Sequence, residues 1–319
     1  MVVETLRSEA EIMRTWPRGE PPVVSVVCTT YNHERYIEQA LVGFLAQETR
    51  LPFEVVIHDD LSSDRTREVV DAYAARYPNI IRTIYQTQNQ YSLGRTSALV
   101  AFGYCSTKYI AFCEGDDYWT DARKLQLQID VLEEDPTCAL VFHNARLLRE
   151  AKGNDVSEIA CLLEKDAFTL EDIILRDWFI PSHSMMFRRH LLPDLPWLHR
   201  VFGLDYAMHL LLANSGDVRY IDRVMGVYRV NAASISGNRP AGFFQIKLMQ
   251  TLSYFNFHTQ FAHDKTVAMR LDRERGLMYV ACLSGRPWYI RALSLDYLRF
   301  KLDNLMRRRL RRRISPRTA

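Results

Sequence analysis

The stretch VVSVVCTTYNHERYIEQALVGFLAQ, residues 23–47, places a run of β-branched residues directly before a segment with helical periodicity. The same order recurs in the first 150 residues, where "FEVVIHD" precedes "SDRTREVVDAYAARY" and "KYIAFC" precedes "DARKLQLQIDVLEEDP". Strands that alternate with helices in this way indicate a mostly parallel, doubly wound, Rossmann-like sheet, so the predicted fold class is α/β. Ser63 or Asp64 is expected to cap the helix after the second strand.

Polar motifs follow three of the predicted strands, at the point where each strand ends. They are "TTYN" at residues 29–32, "HDDLSSD" at residues 58–64 and "EGDDYW" at residues 114–119. In open α/β sheets, ligands bind outside the carboxyl ends of the strands. Three polar strand ends that meet on one edge of the sheet therefore predict a ligand pocket at that edge.

The third motif places the carboxylates of Glu114, Asp116 and Asp117 within four positions. Like charges this close repel each other, and carboxylates are costly to remove from water, so a bound cation is expected. Mg²⁺ typically takes one or two carboxylates and completes its coordination with substrate phosphates and water. Asp117 and Asp116 are therefore the predicted ligands of Mg²⁺ or Mn²⁺. The alternative is that these acids cap a helix beginning near Thr120, although Thr120 can cap such a helix by itself.

The composition and two missing motifs disfavour several classes of protein. The chain has 319 residues, 48% of them hydrophobic, and its net charge of +3 argues against a general nucleic-acid-binding protein. No GxGxxG follows the first strand, and no GxxxxGK followed by Ser or Thr occurs in the sequence. A Rossmann dehydrogenase and a P-loop NTPase are therefore disfavoured.

The cysteines and the N-terminus bear on where the protein works. The six cysteines form no CxxC pair, which favours reduced core residues over a zinc site. The N-terminal "MVVETLRSEAEIMRTW" contains acidic residues and no long apolar core, so no signal peptide is expected. The sequence contains no uninterrupted run of 18 apolar residues, so no transmembrane helix is expected. The predicted location is the cytoplasm.

Three segments in order resemble the motifs of one family. The segments "VSVVCTTYNHERYIEQAL", "FEVVIHDDLSSDRT" and "YIAFCEGDDYWTDARKLQLQ" are similar to the bacterial family 2 glycosyltransferases of the glycosyltransferase A fold, over residues 22–235. The resemblance implies an enzyme that takes a sugar from a nucleotide-sugar, by default a UDP-sugar, with inversion at the anomeric carbon. It also implies bacterial surface polysaccharide synthesis, with a hydroxyl of a glycan or lipid-linked molecule as acceptor.

The resemblance also implies roles for the residues at the three strand ends. These are Thr29 and Tyr31 beside the nucleoside, Asp60 at the base with Asp59 in support, Asp117 as direct metal ligand, and Asp116 near the ribose or a metal-bound water. Each position has a structural alternative. The alternative is a strand-end hydrogen bond for Thr29, packing for Tyr31, and a turn or helix cap for Asp59 and Asp60.

The transfer step needs a base, because the attacking hydroxyl must lose a proton. The segment "FGLDYAMHLLLA" resembles the family's later acidic motif at the acceptor side, which makes Asp205 the predicted general base. The alternative role of Asp205 is N-cap of a helix over residues 206–214, and the two roles are compatible. His183, His209 and Asp217 are weaker candidates for the base.

Two segments depart from the family's pattern. Relatives often carry a histidine shortly after the "YR" of a segment like "GVYRVNAASISG", where this chain has Asn231, which leaves Tyr228, Arg229 and Ser234 as residues to line the site. The usual small, Asn-rich pattern is loosened in "NQYSLGRTSALVAFG". Arg95 in that segment is a candidate for binding the diphosphate, and a solvent-facing arginine is the equal alternative.

The chain divides into an N-terminal extension at residues 1–21, a catalytic domain at residues 22–238 and a helical, basic region at residues 239–319. The last region ends in "MRRRLRRRISP", with leucines at helical spacing between the arginines. Basic amphipathic helices bind anionic membranes, which predicts peripheral contact with the inner face of the cytoplasmic membrane. A solvated tail is the alternative.

Three other functions compete with glycosyl transfer. A sugar nucleotidyltransferase would need a glycine-rich loop with arginine and lysine after the first strand, where this chain has "TTYNHE". A glycosidase with paired carboxylates would leave the strand-end threonine and aspartate motifs without a role. A non-catalytic nucleotide-sugar-binding protein would bind the donor and show no turnover with any acceptor.

Overall fold

The computed structural model describes residues 6–150, 155–159, 163–230 and 242–283. The chain forms two compact units, Met1–Ile235 and Ser236–Ala319. The strands of the first unit are β1 Val24–Thr30, β2 Phe53–Asp59, β3 Ile81–Tyr85, β4 Tyr109–Glu114, β5 Tyr118–Trp119, β6 Cys138–Arg149, β7 Asp155–Ile159, β8 Ala167–Phe168, β9 Met186–Arg188 and β10 Asp217–Val230. Its helices are α1 Glu9–Met13, α2 Ile37–Leu45, α3 Thr66–Arg76, α4 Ser97–Gly103, α5 Lys124–Glu134, α6 Leu170–Leu175 and α7 Leu204–Ser215, and the second unit contains α8 Phe243–His258 and α9 Asp264–Leu283.

The first half of the sheet is parallel and deeply buried. Strand β1 lies between β2 and β4 and is parallel to both, and β3 adds to the outer side of β2. Val24, Val26 and Val27 are fully buried, as expected for a strand covered on both faces by helices. The strand–helix alternation read from the sequence therefore gives the expected doubly wound arrangement.

The second half of the sheet mixes strand directions. The three-residue strand β9 lies antiparallel between β4 and β6, β10 runs parallel to β6, and β5 pairs antiparallel with β10. The segment "PSHSMMFRR" forms a strand only at Met186–Arg188, after a 3₁₀ turn at Ser182–Ser184. The segment "VRYIDRVMGVYRV" lies within the single strand β10, and its register against β6 is irregular, as in a bent strand.

The three polar motifs end on one edge of the sheet because the parallel strands are in register. Thr29 of β1 lies opposite His58 of β2 on one side and Glu114 of β4 on the other. Thr30 lies opposite Asp59. The carboxyl ends of the central strand and both its neighbours therefore coincide, which is where α/β sheets bind ligands.

Two helices begin later than the sequence predicts. Helix α3 has Arg65 at its N-cap, so the expected cap by Ser63 or Asp64 is wrong. The carboxylate of Asp64 instead accepts hydrogen bonds from Thr66 N at 3.0 Å and from Glu34 N at 3.0 Å, so it also ties down the loop after β1.

Helix α5 begins at Lys124, with Arg123 at its N-cap. Thr120 therefore caps no helix, and the expectation that it does so is wrong. The acid pair Asp116 and Asp117 lies still further from the helix start and is separated from it by β5. Helix capping thus does not account for the two adjacent aspartates.

The described residues before β1 pack on the sheet within the first unit. Ile12 of α1 is buried, and the ring of Trp16 lies edge-on to Phe53 of β2 with centroids 5.2 Å apart. The Arg7 guanidinium donates to the carbonyl oxygens of Ala46 and Gln47 at 3.0 and 2.8 Å. These contacts join the start of the chain to the sheet and to the end of α2.

The second unit contains α8 and α9 within the described residues. A buried ion pair joins Arg270 to Glu274 in α9 at 2.9 Å. Across residues 6–150, 155–159, 163–230 and 242–283, no helix has both the length and the apolar character to cross a bilayer. The basic segment at residues 306–316, Asn231 and Ser234 lie outside the described residues.

The described cysteine side chains agree with the expected reduced core residues. Four are buried and form no disulfide: Cys28, Cys105, Cys113 and Cys138. The side chains of Cys161 and Cys282 lie outside the described residues.

Candidate functional site

The segment Glu114–Trp119, here called the acid loop, leaves the end of β4 and is held on both sides. At its start, Gly115 N donates to the carbonyl oxygen of Thr29 at 2.9 Å. Within it, Asp117 N donates to the carbonyl oxygen of Glu114 at 3.1 Å. At its end, Tyr118 and Trp119 form β5 and pair with β10. The acid loop is therefore ordered by two strands of the sheet rather than by its own sequence.

Asp117 is the buried member of the acid pair, with a relative exposure of 2%, whereas Asp116 is partly exposed. Asp117 Oδ1 accepts a hydrogen bond from Arg229 N at 2.7 Å, and Oδ2 lies 3.3 Å from His183 Nδ1. Burial raises the pKa of Asp117 well above its ordinary value, and the charge of Asp116 raises it further. The protein thus brings a carboxylate into a place that disfavours its charge.

Glu114 adds a third carboxylate to the same loop. Its Oε2 accepts a hydrogen bond from Ser182 Oγ at 2.8 Å. Burial raises the pKa of Glu114, and the charges of Asp117 and Asp116 raise it further. Negative charge is therefore concentrated at this strand end, which favours a nearby cation.

His183 packs against Asp117 and is fully buried. Its ring stacks on Tyr228 with centroids 6.1 Å apart, and a Cβ on Gly226 would lie 2.7 Å from it, so only glycine fits there. Trp119 Nε1 donates to the carbonyl oxygen of His183 at 2.9 Å. Burial lowers the pKa of His183 to about 3, so the ring is neutral near pH 7. The structure therefore places this weaker base candidate beside the acid loop, as a neutral neighbour of Asp117.

Asp59 is fully buried at the end of β2. Its Oδ1 accepts hydrogen bonds from Ser62 N at 3.0 Å and from Arg67 Nε at 2.5 Å. The bond to Ser62 closes a turn after the strand, which is the structural alternative considered for this residue. Arg67 supplies an opposite charge that offsets the burial of the carboxylate.

Asp60 is also buried, with a relative exposure of 3%, and both of its oxygens are engaged. Oδ1 accepts from Gln90 N at 2.6 Å, and Oδ2 accepts from Tyr91 N at 3.1 Å and from Ser97 Oγ at 2.9 Å. The carboxylate therefore holds the segment between β3 and α4 against the end of β2. The contact with a nucleotide base that the sequence predicts for Asp60 would be additional to this structural role.

The remaining donor-site predictions fall on the same edge of the sheet with different exposure. The side chain of Thr29 is partly exposed at the end of β1, and that of Tyr31 is 49% exposed, which rules out a core-packing role for Tyr31. Arg95 is exposed, and its Nη1 lies 3.4 Å from Gln90 Oε1. Arg95 thus belongs to the segment that Asp60 holds.

Asp205 lies in the first turn of α7 and is partly exposed. The N-cap of α7 is Gly203, with φ of 79°, so the alternative role of Asp205 as the helix cap is wrong. Burial raises the pKa of Tyr228, and the charges of Asp117, Glu114 and Asp205 raise it further. Asp205 and the acid loop therefore both lie within electrostatic reach of the Tyr228 hydroxyl.

The two other weaker base candidates lie in unsuitable places. His209 is buried, its Nε2 is 3.0 Å from Met185 Sδ, and burial lowers its pKa to about 4. Asp217 is exposed at the start of β10, whereas the acid loop lies beside the end of that strand. Among the acids and histidines named from the sequence, Asp205 keeps the most favourable position for a base.

Several residues that shape the site were not predicted from the sequence. They include Arg67 on Asp59, Ser182 on Glu114, and Gln90 with Ser97 on Asp60. Ser182 is separated from its partner by 68 positions. The one available signal was the polar "PSHS" before an apolar run, which indicates a polar turn at residues 181–184.

The acid pair fits a divalent ion that a substrate helps to hold. Among the residues that the structure describes, no three His, Cys, Asp or Glu side chains converge into a complete metal-binding group. Asp116 and Asp117 supply the hard oxygen donors that Mg²⁺ and Mn²⁺ prefer, and such ions take their remaining ligands from phosphate and water. The donor set therefore suits a substrate-completed ion and does not suit a closed structural metal site.

Comparison with known proteins identifies the family. Residues 25–194 match the family described as Glycosyl transferase family 2, over more than half of the chain. The uncharacterised protein Rv1520 of Mycobacterium tuberculosis is 36% identical over 214 residues, which cover 66% of this chain and 60% of that protein. The chain thus spans about 60% of the length of the first curated relatives it matches.

A functionally named relative and a solved structure complete the comparison. The UDP-Glc:alpha-D-GlcNAc-diphosphoundecaprenol beta-1,3-glucosyltransferase WfgD of Escherichia coli is 26% identical over 222 residues, covering 68% of this chain and 81% of WfgD. The structure of S. aureus TarS 1-349 in complex with UDP superposes with a TM-score of 0.58 at 19% identity, covering 85% of this chain and 75% of that one. The predicted glycosyltransferase A-type fold is thereby confirmed, and the chain belongs to glycosyl transferase family 2.

Proposed function

We propose that this chain is a metal-dependent, inverting glycosyltransferase that moves a sugar from a nucleotide-sugar, by default a UDP-sugar, to a hydroxyl of a glycan or lipid-linked acceptor in bacterial surface polysaccharide synthesis. The observation that carries the proposal is the alignment of three strand ends. The register of β1 with β2 and β4 places Thr29, Asp59 and Glu114 at one edge of the sheet. That edge supplies a turn for a nucleoside and a carboxylate pair for an ion on its diphosphate.

The names of relatives support the donor and acceptor classes. The name of WfgD states a UDP-glucose donor and a diphosphoundecaprenol-linked acceptor. A second relative, 27% identical over 220 residues, is named as a putative teichuronic acid biosynthesis glycosyltransferase of Bacillus subtilis. A nucleoside-diphosphate donor and an envelope glycan acceptor are consistent with both names.

On the donor side, the chain's own residues bind and orient the nucleotide-sugar. Tyr31 offers an exposed ring beside the end of β1 for the nucleoside, and Asp60 holds the segment that carries Arg95 close to the same edge. Asp116 and Asp117 would hold the divalent ion. When bound, such an ion supplies Lewis-acid neutralisation of the charge on the leaving diphosphate.

On the acceptor side, Asp205 accepts the proton of the attacking hydroxyl. The acceptor oxygen forms a bond to the anomeric carbon as the bond from that carbon to the diphosphate oxygen breaks, which inverts the configuration in one displacement. A positioned carboxylate base typically contributes about 10²–10⁴-fold to the rate of such a step. The position of Asp205 in the first turn of α7, with its side chain partly exposed, leaves the carboxylate accessible to a hydroxyl.

The basic segment at residues 306–316 gives the proposal a membrane component. Each Lys or Arg close to an anionic bilayer contributes about 1 kcal/mol to binding. A lipid-linked acceptor is held at such a surface, so we include peripheral contact with the inner face of the cytoplasmic membrane in the proposed function. Fractionation of cells that express a chain truncated after Leu298 tests this part, and unchanged membrane association would contradict it.

A thermal-shift panel of nucleotide-sugars with and without MnCl₂ tests the donor assignment. The expected result is a rise in Tm with one nucleotide class, larger when Mn²⁺ is present, because a ligand that binds only the folded state stabilises it. The panel contains UDP-, GDP- and dTDP-sugars, so it also identifies the nucleotide. No shift with any of them, with or without Mn²⁺, would contradict the proposed donor site.

A further inference from the structure

The side chain of Arg229 lies close to the end of β10 and is only 5% exposed. All three of its nitrogens face protein groups. Nη1 donates to the carbonyl oxygen of Asp116, Nη2 donates to Gln39 Oε1 at 2.7 Å, and Nε lies 3.1 Å from Glu150 Oε1. A buried guanidinium with two nitrogens hydrogen-bonded to the protein and the third beside a carboxylate is poorly placed to bind a substrate phosphate, so lining the donor pocket does not explain it.

Arg229 touches both members of the acid pair. Its main-chain N–H donates to Asp117 Oδ1 at 2.7 Å, while its guanidinium donates to the main-chain carbonyl of Asp116. The pairing of β10 with β5 produces this contact, because Val227 lies opposite Tyr118 and the strand continues past that pair. A single residue of another strand therefore sets the main-chain path at Asp116 and the orientation of the Asp117 carboxylate.

Glu150 and two tyrosines hold the guanidinium itself. The Tyr36 hydroxyl donates to Glu150 Oε2 at 2.9 Å, so Glu150 is tied to the residue that precedes α2. The guanidinium carbon lies 4.7 Å from the ring centre of Tyr36 and 5.1 Å from that of Tyr118, within the range of cation–π contacts. Charge pairing with Glu150 and contact with two rings offset the burial of Arg229.

We propose that Arg229 is a positioning residue that pre-orients Asp116 and Asp117 for the divalent ion, and that Glu150 keeps Arg229 in place. The inference rests on the proposed metal-dependent donor site and concerns how that site is pre-organised. Residues that orient metal ligands without touching the ion typically change metal affinity about 10–100-fold when they are replaced. The contacts of Arg229 give it this position with respect to the carboxylate of Asp117 and the main chain of Asp116.

Arg229→Lys tests the guanidinium part of the role, because lysine keeps the charge and the main-chain N–H to Asp117 but replaces a planar fork of donors with a single ammonium. Arg219→Lys is the matched control. Arg219 lies on the same strand and donates to Asp135 Oδ2 through Nε at 3.1 Å and Nη2 at 2.7 Å, at the other end from the acid loop. Each full-length protein is titrated calorimetrically with UDP, GDP and dTDP, in the presence and absence of MnCl₂, and its Tm without ligand is recorded.

The expected result is that Arg229→Lys weakens Mn²⁺-dependent nucleotide binding about tenfold or more, whereas Arg219→Lys changes it by less than about twofold. Glu150→Gln is expected to shift binding in the same direction by a smaller factor, and it provides the test if the Arg229 variant fails to fold. Unchanged binding in both, or a loss that is equal with and without Mn²⁺, would overturn the positioning role. A wild-type chain with no Mn²⁺-dependent binding of UDP, GDP or dTDP would overturn the proposed donor site and this inference together.

Discussion

Two pairs of adjacent aspartates stand at the ends of the strands that flank β1, and they have different surroundings. Asp59 is the last residue of β2 and Asp60 follows it, and protein donors bind Asp59 Oδ1 and both oxygens of Asp60: Ser62 N, Arg67 Nε, Gln90 N, Tyr91 N and Ser97 Oγ. Asp117 Oδ1 accepts a hydrogen bond from the main-chain N–H of Arg229, and Oδ2 faces His183. Burial lowers the pKa of His183 to about 3, so its ring is neutral near pH 7.

The difference lies in where the nearest arginine directs its charge. Arg67 brings its guanidinium to within 2.5 Å of Asp59 Oδ1. Arg229 directs its guanidinium to the carbonyl oxygen of Asp116 and to Glu150 instead. The protein therefore places a guanidinium directly on a carboxylate of the first pair, which organises loops, whereas at the second pair burial and the charge of Asp116 raise the pKa of Asp117. The same dipeptide thus serves the fold at one strand end and suits a cation at the other.

Among the variants that test this comparison, Asp117→Asn is expected to have the largest effect. Asparagine keeps an oxygen for Arg229 N–H but loses the charge, so sugar transfer with saturating Mn²⁺ is expected to fall about 10³-fold, as several kcal/mol of charge stabilisation disappear. The free energy of unfolding without ligand is expected to stay equal or to rise, because a buried carboxylate is removed. Initial rates and urea unfolding measure the two effects.

Asp130→Asn is the matched control for that variant. Asp130 is partly exposed and pairs with Arg50 at 2.8 Å, and surface pairs of this kind contribute little. Its activity is expected to stay within about twofold of the wild type. Near-normal turnover of Asp117→Asn with Mg²⁺ or Mn²⁺ would show that Asp117 is not a metal ligand.

Asp205→Asn separates the acceptor side from both aspartate pairs. The turnover number is expected to fall about 10²-fold or more, because the amide cannot accept the proton of the attacking hydroxyl. Calorimetric affinity for the donor nucleotide is expected to stay close to the wild-type value. Asp217→Asn, at the exposed start of β10, serves as the control and is expected to leave turnover unchanged. A large loss of donor affinity in Asp205→Asn would remove Asp205 from the base role.

Asp60→Asn makes the same chemical change at the first pair and is expected to act mainly on stability. One amide group replaces a carboxylate oxygen that accepts from backbone or hydroxyl donors, which is expected to lower the free energy of unfolding by about 1–3 kcal/mol. Nucleotide affinity is expected to fall about tenfold, since the loop that carries Arg95 loosens. Urea unfolding and calorimetry with UDP measure these changes. A stability loss larger in Asp117→Asn than in Asp60→Asn would reverse the comparison.

Much of the fold follows from local patterns in the sequence. The short apolar runs predict β1, β2 and β4, and their polar ends predict the edge that carries the site. The start of α3 was misplaced because a tertiary contact binds one of its two expected caps. Asp64 binds Glu34 N in another loop as well as Thr66 N. Local cap preferences do not contain that information.

Local patterns in the sequence could not predict which residues contact the acid loop. Arg229 meets Asp117 across 112 positions of sequence, and its place depends on a strand whose register against β6 shifts three times. A one-residue change in register would turn the opposite face of β10 toward the loop. The two adjacent aspartates predict a cation site from the sequence alone. The identity of the residues that orient them depends on strand pairing, which local patterns do not reveal.

The smallest expected effect concerns Lys124. This residue is a fully buried cation at the start of α5, close to the end of the acid loop. Its Nζ donates to Gln128 Oε1 at 2.8 Å and lies 3.7 Å from the ring centre of Trp119. Burial lowers the pKa of Lys124 to about 7 from 10.5, so between these values the unfolded chain binds more protons than the folded one. The contribution of Lys124 to the free energy of unfolding therefore rises as the pH increases from about 7 toward 10.5.

Lys124→Met is expected to remove that dependence and to raise the free energy of unfolding near pH 7, where the wild type still carries part of the buried charge. Urea unfolding at several pH values from 6 to 9, followed by tryptophan fluorescence, measures the difference between the two proteins. Lys108→Met is the control, because Lys108 is exposed and pairs with Glu133 at 2.7 Å. Parallel pH profiles for Lys124→Met and the wild type would mean that Lys124 stays charged in the folded chain, and the acid loop would then have a cation of the protein's own beside it.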